Sequence, residues 1–313
     1  MKKSILITGG AGYIGTMLVP LLLENDYSVT VYDSLIFKSG DKLLEHLINP
    51  NFNFIKGDIR DKDSLSNAVK NKDVVIHLAA YVGYGICREK GEDESHEVNC
   101  SATKLLVDLL SDDQYLLYGS TGSNYGEVIG ICDEETPLNP LSIYGRTKTD
   151  GEHCVMSREN STAFRFATAF GISPRLRLDL LVNDLTHKAI SQNYAVIYES
   201  HFLRTFIHVK DIARSFLFAI ENMDKMKNNV YNVGSDKMNY SKKEVCELIK
   251  KNYDNVHFHY ADIGEDVDKR NYKVSYAKIN KLGFQTTISL EEGIKELIRA
   301  YDLLYTFSPY HNS

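Results

Sequence analysis

The sequence predicts an α/β fold: a doubly wound parallel sheet with helices on both faces, carrying a smaller C-terminal α/β lobe. Three observations predict it. Short β-branched runs alternate with amphipathic helical segments from Ser4 onward, a pattern that buries parallel strands between two helical layers. A glycine-rich turn, Gly9 to Gly15, falls between the first strand and the first helix. The alternation loosens after Gly171. This sets the sheet unit at 1–170 with returning segments near 205–235, and leaves 171–313 mainly to the second lobe.

The first strand is Ser4-Ile-Leu-Ile-Thr8, and "TGGAGYIG" follows it. The next stretch, "YIGTMLVPLLLEN", has helical apolar spacing through Ile14, Leu18, Leu21 and Leu22. Strand, glycine turn and helix in that order form the dinucleotide fingerprint of a Rossmann unit. Gly9 allows the tight turn, Gly12 the close approach of a pyrophosphate, and Gly15 the packing of helix on strand. Tyr13 and Ile14 complete the turn, whose helix N-terminus offers free N–H groups to phosphate. Pro20 inside this helix is expected to cost a hydrogen bond or cause a kink. The second strand, "YSVTVYD", ends in Asp33, 18 residues after Gly15, where an acid takes the adenosine ribose hydroxyls. That acid repels a 2′-phosphate, and no arginine occurs in "SLIFKSG". NAD is therefore expected over NADP.

Alternation continues through "FNFIKGDIRD", "KDSLSNAVKN", "DVVIHLAA", "NCSATKLLVDLLSD" and "QYLLYGST". Asp58, Ile59, Leu78, Ala79 and Ala80 fall at strand ends, the edge where doubly wound sheets bind ligands. His77 reads as a satisfied core residue, and "REKGEDESHE", 88–97, as a solvated loop or helix face.

Bulk properties narrow the function. The net charge of −6 leaves no basic stripe to neutralise nucleic-acid phosphates. No apolar stretch reaches the ~18 residues of a membrane span, and the apolar run after Met1-Lys-Lys is too short for a secretory leader. The cysteines at 87, 100, 132, 154 and 246 are scattered, with no C-x-x-C pair, as in a reducing compartment. A cytoplasmic location is expected.

The strand "QYLLYGST" delivers Ser120 and Thr121 to the ligand edge, and "SIYGRTK" places Tyr144 and Lys148 one helical turn apart. A cation beside a phenol favours the phenolate and fits it to exchange a proton with a hydroxyl. With the upstream fingerprint, "VYDSL", "GDIRD", "IHLAA", "VNCSAT", "STGSNYGE", "PLNPLSIYGRTK" and "RTFIHVKDIA" make the chain resemble the extended short-chain dehydrogenase/reductases. The likeness is to the nucleotide-sugar epimerase/dehydratase branch.

The resemblance implies that Tyr144 is the general base, that Lys148 lowers its pKa and holds the nicotinamide ribose, and that Thr121 orients the sugar hydroxyl. Asn99 matches the family's asparagine behind the site and is grouped with the cofactor residues; it is equally readable as a helix cap. Tyr125 reads as structural. Asn183, Arg204 and Arg270 are implied for the nucleotide diphosphate, with Arg175, Arg177 and Tyr272 as further candidates. A surface ion pair is the competing reading for any one arginine. A nucleoside-diphosphate sugar is the implied substrate and a homodimer the implied assembly, pairing helices 99–110 and 144–157. The implied chemistry is oxidation at C4, and the likeness leans to dehydrogenases of the GDP-heptose type from capsule biosynthesis. A 4-epimerase is the alternative, and a non-catalytic NAD sensor a third. Dehydratases of the branch carry Asp-Glu directly after the threonine, where this chain has Gly122-Ser123. "SLEEGIKELIRAYDLL" reads as an amphipathic helix with a capping box at Ser289 and Glu292, and "SPYHNS" as a frayed end.

Overall fold

Each strand of the first half alternates its side chains between two helical layers. The computed structural model describes residues 2–261, 263 and 271–305. In chain order its first half runs β1 (Ser4–Thr8), α1 (Gly15–Glu24), β2 (Ser28–Asp33), β3 (Phe52–Lys56), α2 (Lys62–Val69), β4 (Val74–His77), α3 (Tyr84–His96), α4 (Ala102–Leu109), β5 (Tyr115–Thr121), β6 (Glu127–Cys132), α5 (Ile143–Met156) and β7 (Ser161–Phe166). The second half runs β8 (Thr168–Phe170), α6 (Leu181–Gln192), β9 (Tyr194–Tyr198), β10 (Leu203–His208), α7 (Val209–Glu221), α8 (Met223–Met226), β11 (Asn229–Val233), β12 (Asn239–Ser241), α9 (Lys242–Asn252), β13 (His257–Ala261), β14 (Asn271–Val274), α10 (Ala277–Asn280), α11 (Leu290–Arg299) and α12 (Tyr301–Tyr305).

The main sheet has seven strands in the order β11-β7-β5-β4-β1-β2-β3, every neighbouring pair parallel. On β1, Ile5 and Ile7 pack with Leu18, Leu22, Ile212 and Phe216 of α1 and α7. Leu6 points the other way, to Leu65, Leu106 and Val155 of α2, α4 and α5. The period of two in a pleated strand makes this division. A third apolar cluster joins α6, α9 and α11 to β9 and β10 through Leu185, Val245, Ile294 and Phe206. Small sheets β12-β10-β8, β13-β9 and β14-β6 complete the structure.

One expectation needs correcting: the helix expected from residue 99 begins at Ala102, after a π-turn at Glu97–Ser101. The charged 88–97 run, read as a solvated loop or helix face, lies largely within α3 with most of its side chains exposed, and that helix kinks at Gly91 (φ 82°). Elsewhere α1 runs through Pro20, and Ser289 and Glu292 close the expected capping box on α11. "SPYHNS" and Arg270 lie outside the described residues. Among the described residues no helix is long and apolar enough to cross a membrane.

Candidate active site

The C-terminal ends of the parallel strands open into a cleft of about 370 Å³. Its floor is the glycine turn. Gly9 adopts φ +71° and an added Cβ would lie 2.6 Å from the amide nitrogen of Ala79, so only glycine fits. At Gly12 an added Cβ would meet a single nearby atom, the Gly9 carbonyl oxygen at 3.1 Å. Gly12 lines the cleft, so a side chain there would fill space that a phosphate otherwise takes. Asp33, at the end of β2, accepts from the amides of Ala11 (3.0 Å) and Leu35 (2.8 Å). Burial pushes its carboxyl up from its usual value, against the pull of those amides and of Arg175. Phosphate cradle and ribose acid thus fit a dinucleotide.

Every residue expected at the cofactor, except Asn99, lines this cleft: Gly9, Gly12, Tyr13, Ile14, Gly15, Asp33, Asp58, Ile59, Leu78, Ala79, Ala80, Tyr144 and Lys148. Thr121, Arg175 and Arg177 line it as well. Sequence reasoning missed Arg60, whose guanidinium clamps Asp58 at 2.7 and 3.0 Å and pulls that carboxyl below its usual value. The "GDIRD" motif contained it, but the pairing at i, i+2 carried no signal of its own. Phe37 was missed too; the Arg175 guanidinium lies 4.6 Å from its ring centre.

Helix α5 carries both Tyr144 and Lys148. Ser142 caps it by accepting from the Gly145 amide (3.0 Å), which sets Tyr144 in the first turn and Lys148 one turn later. Lys148 is 2% exposed, and burial brings its ammonium down to about 7, against the opposing effect of Glu152 and Cys87. Thr121 ends β5; its hydroxyl donates to Ser123 Oγ (3.1 Å) and accepts from the Ser123 amide (3.1 Å). Its neighbour Ser120 has another task. Ser120 donates to Glu152 Oε2 (2.6 Å), and Glu152 forms a buried pair with Arg165 (2.6 Å). The Ser120 hydroxyl belongs to that network.

Three expected contacts sit elsewhere. Asn99 does not line the cleft and does not cap α4. Its amide accepts from the Tyr81 amide (2.7 Å) and donates to the Tyr81 carbonyl (3.0 Å) and Thr147 Oγ1 (3.0 Å). It therefore ties the turn after β4 to α5. Asn183 is fully buried and is spent on the Gly171 amide (2.9 Å), the Gly171 carbonyl (3.2 Å) and the Arg177 carbonyl (2.8 Å). It braces the segment that carries Arg175 and Arg177. Arg204 is buried on β10 and donates to the Leu203 carbonyl (3.0 Å), away from the cleft wall. Arg177 itself pairs with Asp179 (2.6 Å) and reaches the Val82 carbonyl (3.3 Å). Tyr272 packs edge-on against Tyr125, off the cleft.

The structural readings of His77 and Tyr125 agree with the geometry. His77 is buried between Thr8 Oγ1 (2.6 Å) and Thr103 Oγ1 (2.9 Å), and burial lowers its pKa to about 3. Tyr125 donates to Asn232 (2.7 Å) and accepts from Arg165 (3.1 Å).

Comparison with known proteins follows the same lines. The chain is 30% identical over 313 residues to the low-salt glycan biosynthesis protein Agl12 of Haloferax volcanii, covering 95% of this chain and 98% of that one. It is 27% identical over 320 residues to mouse dTDP-D-glucose 4,6-dehydratase, covering 96% and 88%. Among solved structures, UDP-glucuronic acid 4-epimerase from Bacillus cereus, in complex with UDP-glucuronic acid and NAD, superposes with a TM-score of 0.84 at 27% identity over 96% of this chain and 100% of that one. Residues 5–234 match the NAD dependent epimerase/dehydratase family, and the chain belongs to that family, whose cofactor is NAD.

Proposed function

We propose that this protein oxidises the C4 hydroxyl of a nucleoside-diphosphate sugar to a ketone, as a 4-dehydrogenase of the GDP-heptose type. The observation that carries the reading is the convergence of Thr121, Tyr144 and Lys148 on the cleft that also holds the glycine turn and Asp33. Tyr144 takes the hydroxyl proton as a phenolate. The Lys148 charge favours that phenolate, and the Thr121 hydroxyl, held by Ser123, orients the sugar hydroxyl. NAD, when bound, supplies the hydride acceptor. Arg175 and Arg177 replace Asn183 and Arg204 as the side chains offered to phosphate, since guanidinium groups suit phosphate oxygens. The segments after residue 171 form the substrate-binding lobe in this reading, and the enzyme works as a cytoplasmic homodimer.

A second reading is a 4-epimerase, which returns the hydride to the opposite face of the keto sugar; the similarity to a named 4-epimerase favours it. Dehydration is disfavoured. Gly122 and Ser123 stand where an acid and base are needed, and an added Cβ at Gly122 would lie 3.2 Å from the Phe166 carbonyl and from the Tyr272 hydroxyl.

One experiment tests the proposal. The purified protein is denatured to identify released nucleotide, and GDP-, UDP- and dTDP-sugars are incubated with fresh enzyme and NAD. A 4-dehydrogenase gives keto sugar and reduced cofactor in equal amounts. An epimerase gives the inverted sugar with no net reduction. Loss of one water equivalent from the sugar, or no turnover of any sugar, overturns the proposal.

A further inference from the structure

Strand β5 points Leu116 and Tyr118 into the apolar cluster beneath α5. The Tyr118 ring is fully buried there, and the Lys148 ammonium nitrogen lies 3.9 Å from its centre. The helix makes room for the ring: three residues past Lys148, an added Cβ at Gly151 would fall 2.5 Å from the Tyr118 hydroxyl. Any larger residue at 151 would crowd both the Tyr118 hydroxyl and the Asn99 carbonyl, 2.6 Å away. Lysine over a desolvated aromatic face is held by the ring quadrupole.

We propose that Tyr118 is a positioning residue: its buried ring face is the seat that holds the Lys148 ammonium in place beside Tyr144. The inference rests on the functional reading above, in which Lys148 acts as a cation. Among the described residues, the other groups that act electrostatically on Lys148 are Glu152 on its own helix, Cys87 from α3 and His77 from β4; Tyr144 precedes it by one helical turn. Glu152 is divided among Arg165, Ser120 and Asn124. His77 is neutral across the working range, because burial brings it to about 3. The Tyr118 phenol stays protonated, since burial pushes it well above its usual value. The ring therefore acts as a neutral π face, and among the described residues its hydroxyl donates to the Lys148 carbonyl at 3.4 Å.

The test titrates Lys148 in the full-length protein by NMR of [13Cε]lysine, with the signal assigned by its loss in Lys148→Met. Tyr118→Phe keeps the face and drops the hydroxyl. Trifluorinated phenylalanine, incorporated at 118, keeps the ring volume and withdraws its π charge, so the core stays filled. The expected midpoint is unchanged in Tyr118→Phe and lower by about one pH unit in the fluorinated protein, a tenfold loss of proton affinity worth about 1.4 kcal/mol. The kcat/KM pH profile should shift in the same direction. Equal midpoints in the phenylalanine and fluorinated proteins overturn the seat. A Tyr144→Phe protein with normal turnover would instead overturn the functional reading, while the Lys148 titration still decides what Tyr118 does.

Discussion

Lys148 must carry its charge where water cannot help. Its folded pKa of about 7 lies below the ordinary lysine value of 10.5, so between those pH values the unfolded chain binds the extra proton. Stability attributable to this group therefore rises with pH across that window, and its full penalty is present below it. Lys148→Met removes the penalty. The variant should melt several degrees above wild type at pH 6.5, with the gap closing by pH 10.5, while binding NAD more weakly. An identical gap at both pH values, read by calorimetry, would remove the buried charge as its cause. Tyr144→Phe should cut turnover by roughly 10²–10⁴, the loss expected for a positioned base, with NAD binding retained; near-normal turnover of a nucleotide sugar would sink the base assignment. Asp33 should favour NAD over NADP by at least about tenfold, or ~1.4 kcal/mol. Equal calorimetric affinities would show that its carboxylate, held by Ala11 and Leu35, does not face a 2′-phosphate.

Among the elements, legibility followed locality. The turn from Gly9 to Gly15 and the placement of Tyr144 and Lys148 on one cleft were readable because that geometry depends on a few consecutive residues and the backbone they force. Asn99, Asn183 and Arg204 do not line the cleft, because tertiary packing decides where a buried side chain finds its partners. Asn99 spends its amide on Tyr81 and on Thr147, 18 and 48 residues away, which no spacing rule encodes. The π-turn at Glu97–Ser101 was equally hidden, since its residues fit the α-helical pattern around them. Because Asn99 links the turn after β4 to the helix bearing Tyr144, Asn99→Ala should leave the buried Tyr81 amide without its acceptor, while the Tyr81 carbonyl keeps the Cys87 thiol at 3.4 Å. A cost of roughly 1–3 kcal/mol in a urea melt follows, the penalty for one buried unpaired group. A change below 0.5 kcal/mol, about the scatter of a surface substitution, would mean that water or rearrangement replaces the link.

At the scale of the whole molecule, the parallel sheet and the alternation of layers were legible, because parallel strands joined by helices leave few topologies; the strand order was not read. The stitching between the two ends of the cleft was not legible either. Tyr13 donates to the Gly171 carbonyl (2.7 Å), and Ser173 donates to the Tyr13 carbonyl (2.7 Å) and meets Thr16 Oγ1 at 2.9 Å. These bonds, 157 to 160 residues apart in sequence, fasten the start of α1 to the segment that carries Arg175. That segment then reaches across to Phe37, in the loop after β2.

The Arg175–Phe37 contact has a consequence for residence time. Both residues line the cleft, so if their contact spans an occupant's exit path, release waits on its opening. Phe37→Ala should raise the dissociation rate of NADH in stopped-flow displacement several-fold with little change in association; an unchanged rate would mean that the exit lies elsewhere. Slow exchange suits a catalyst that restores its cofactor within each cycle. A catalyst that releases a ketone is left holding NADH, and it then depends either on that opening or on a second substrate that takes the hydride back in place.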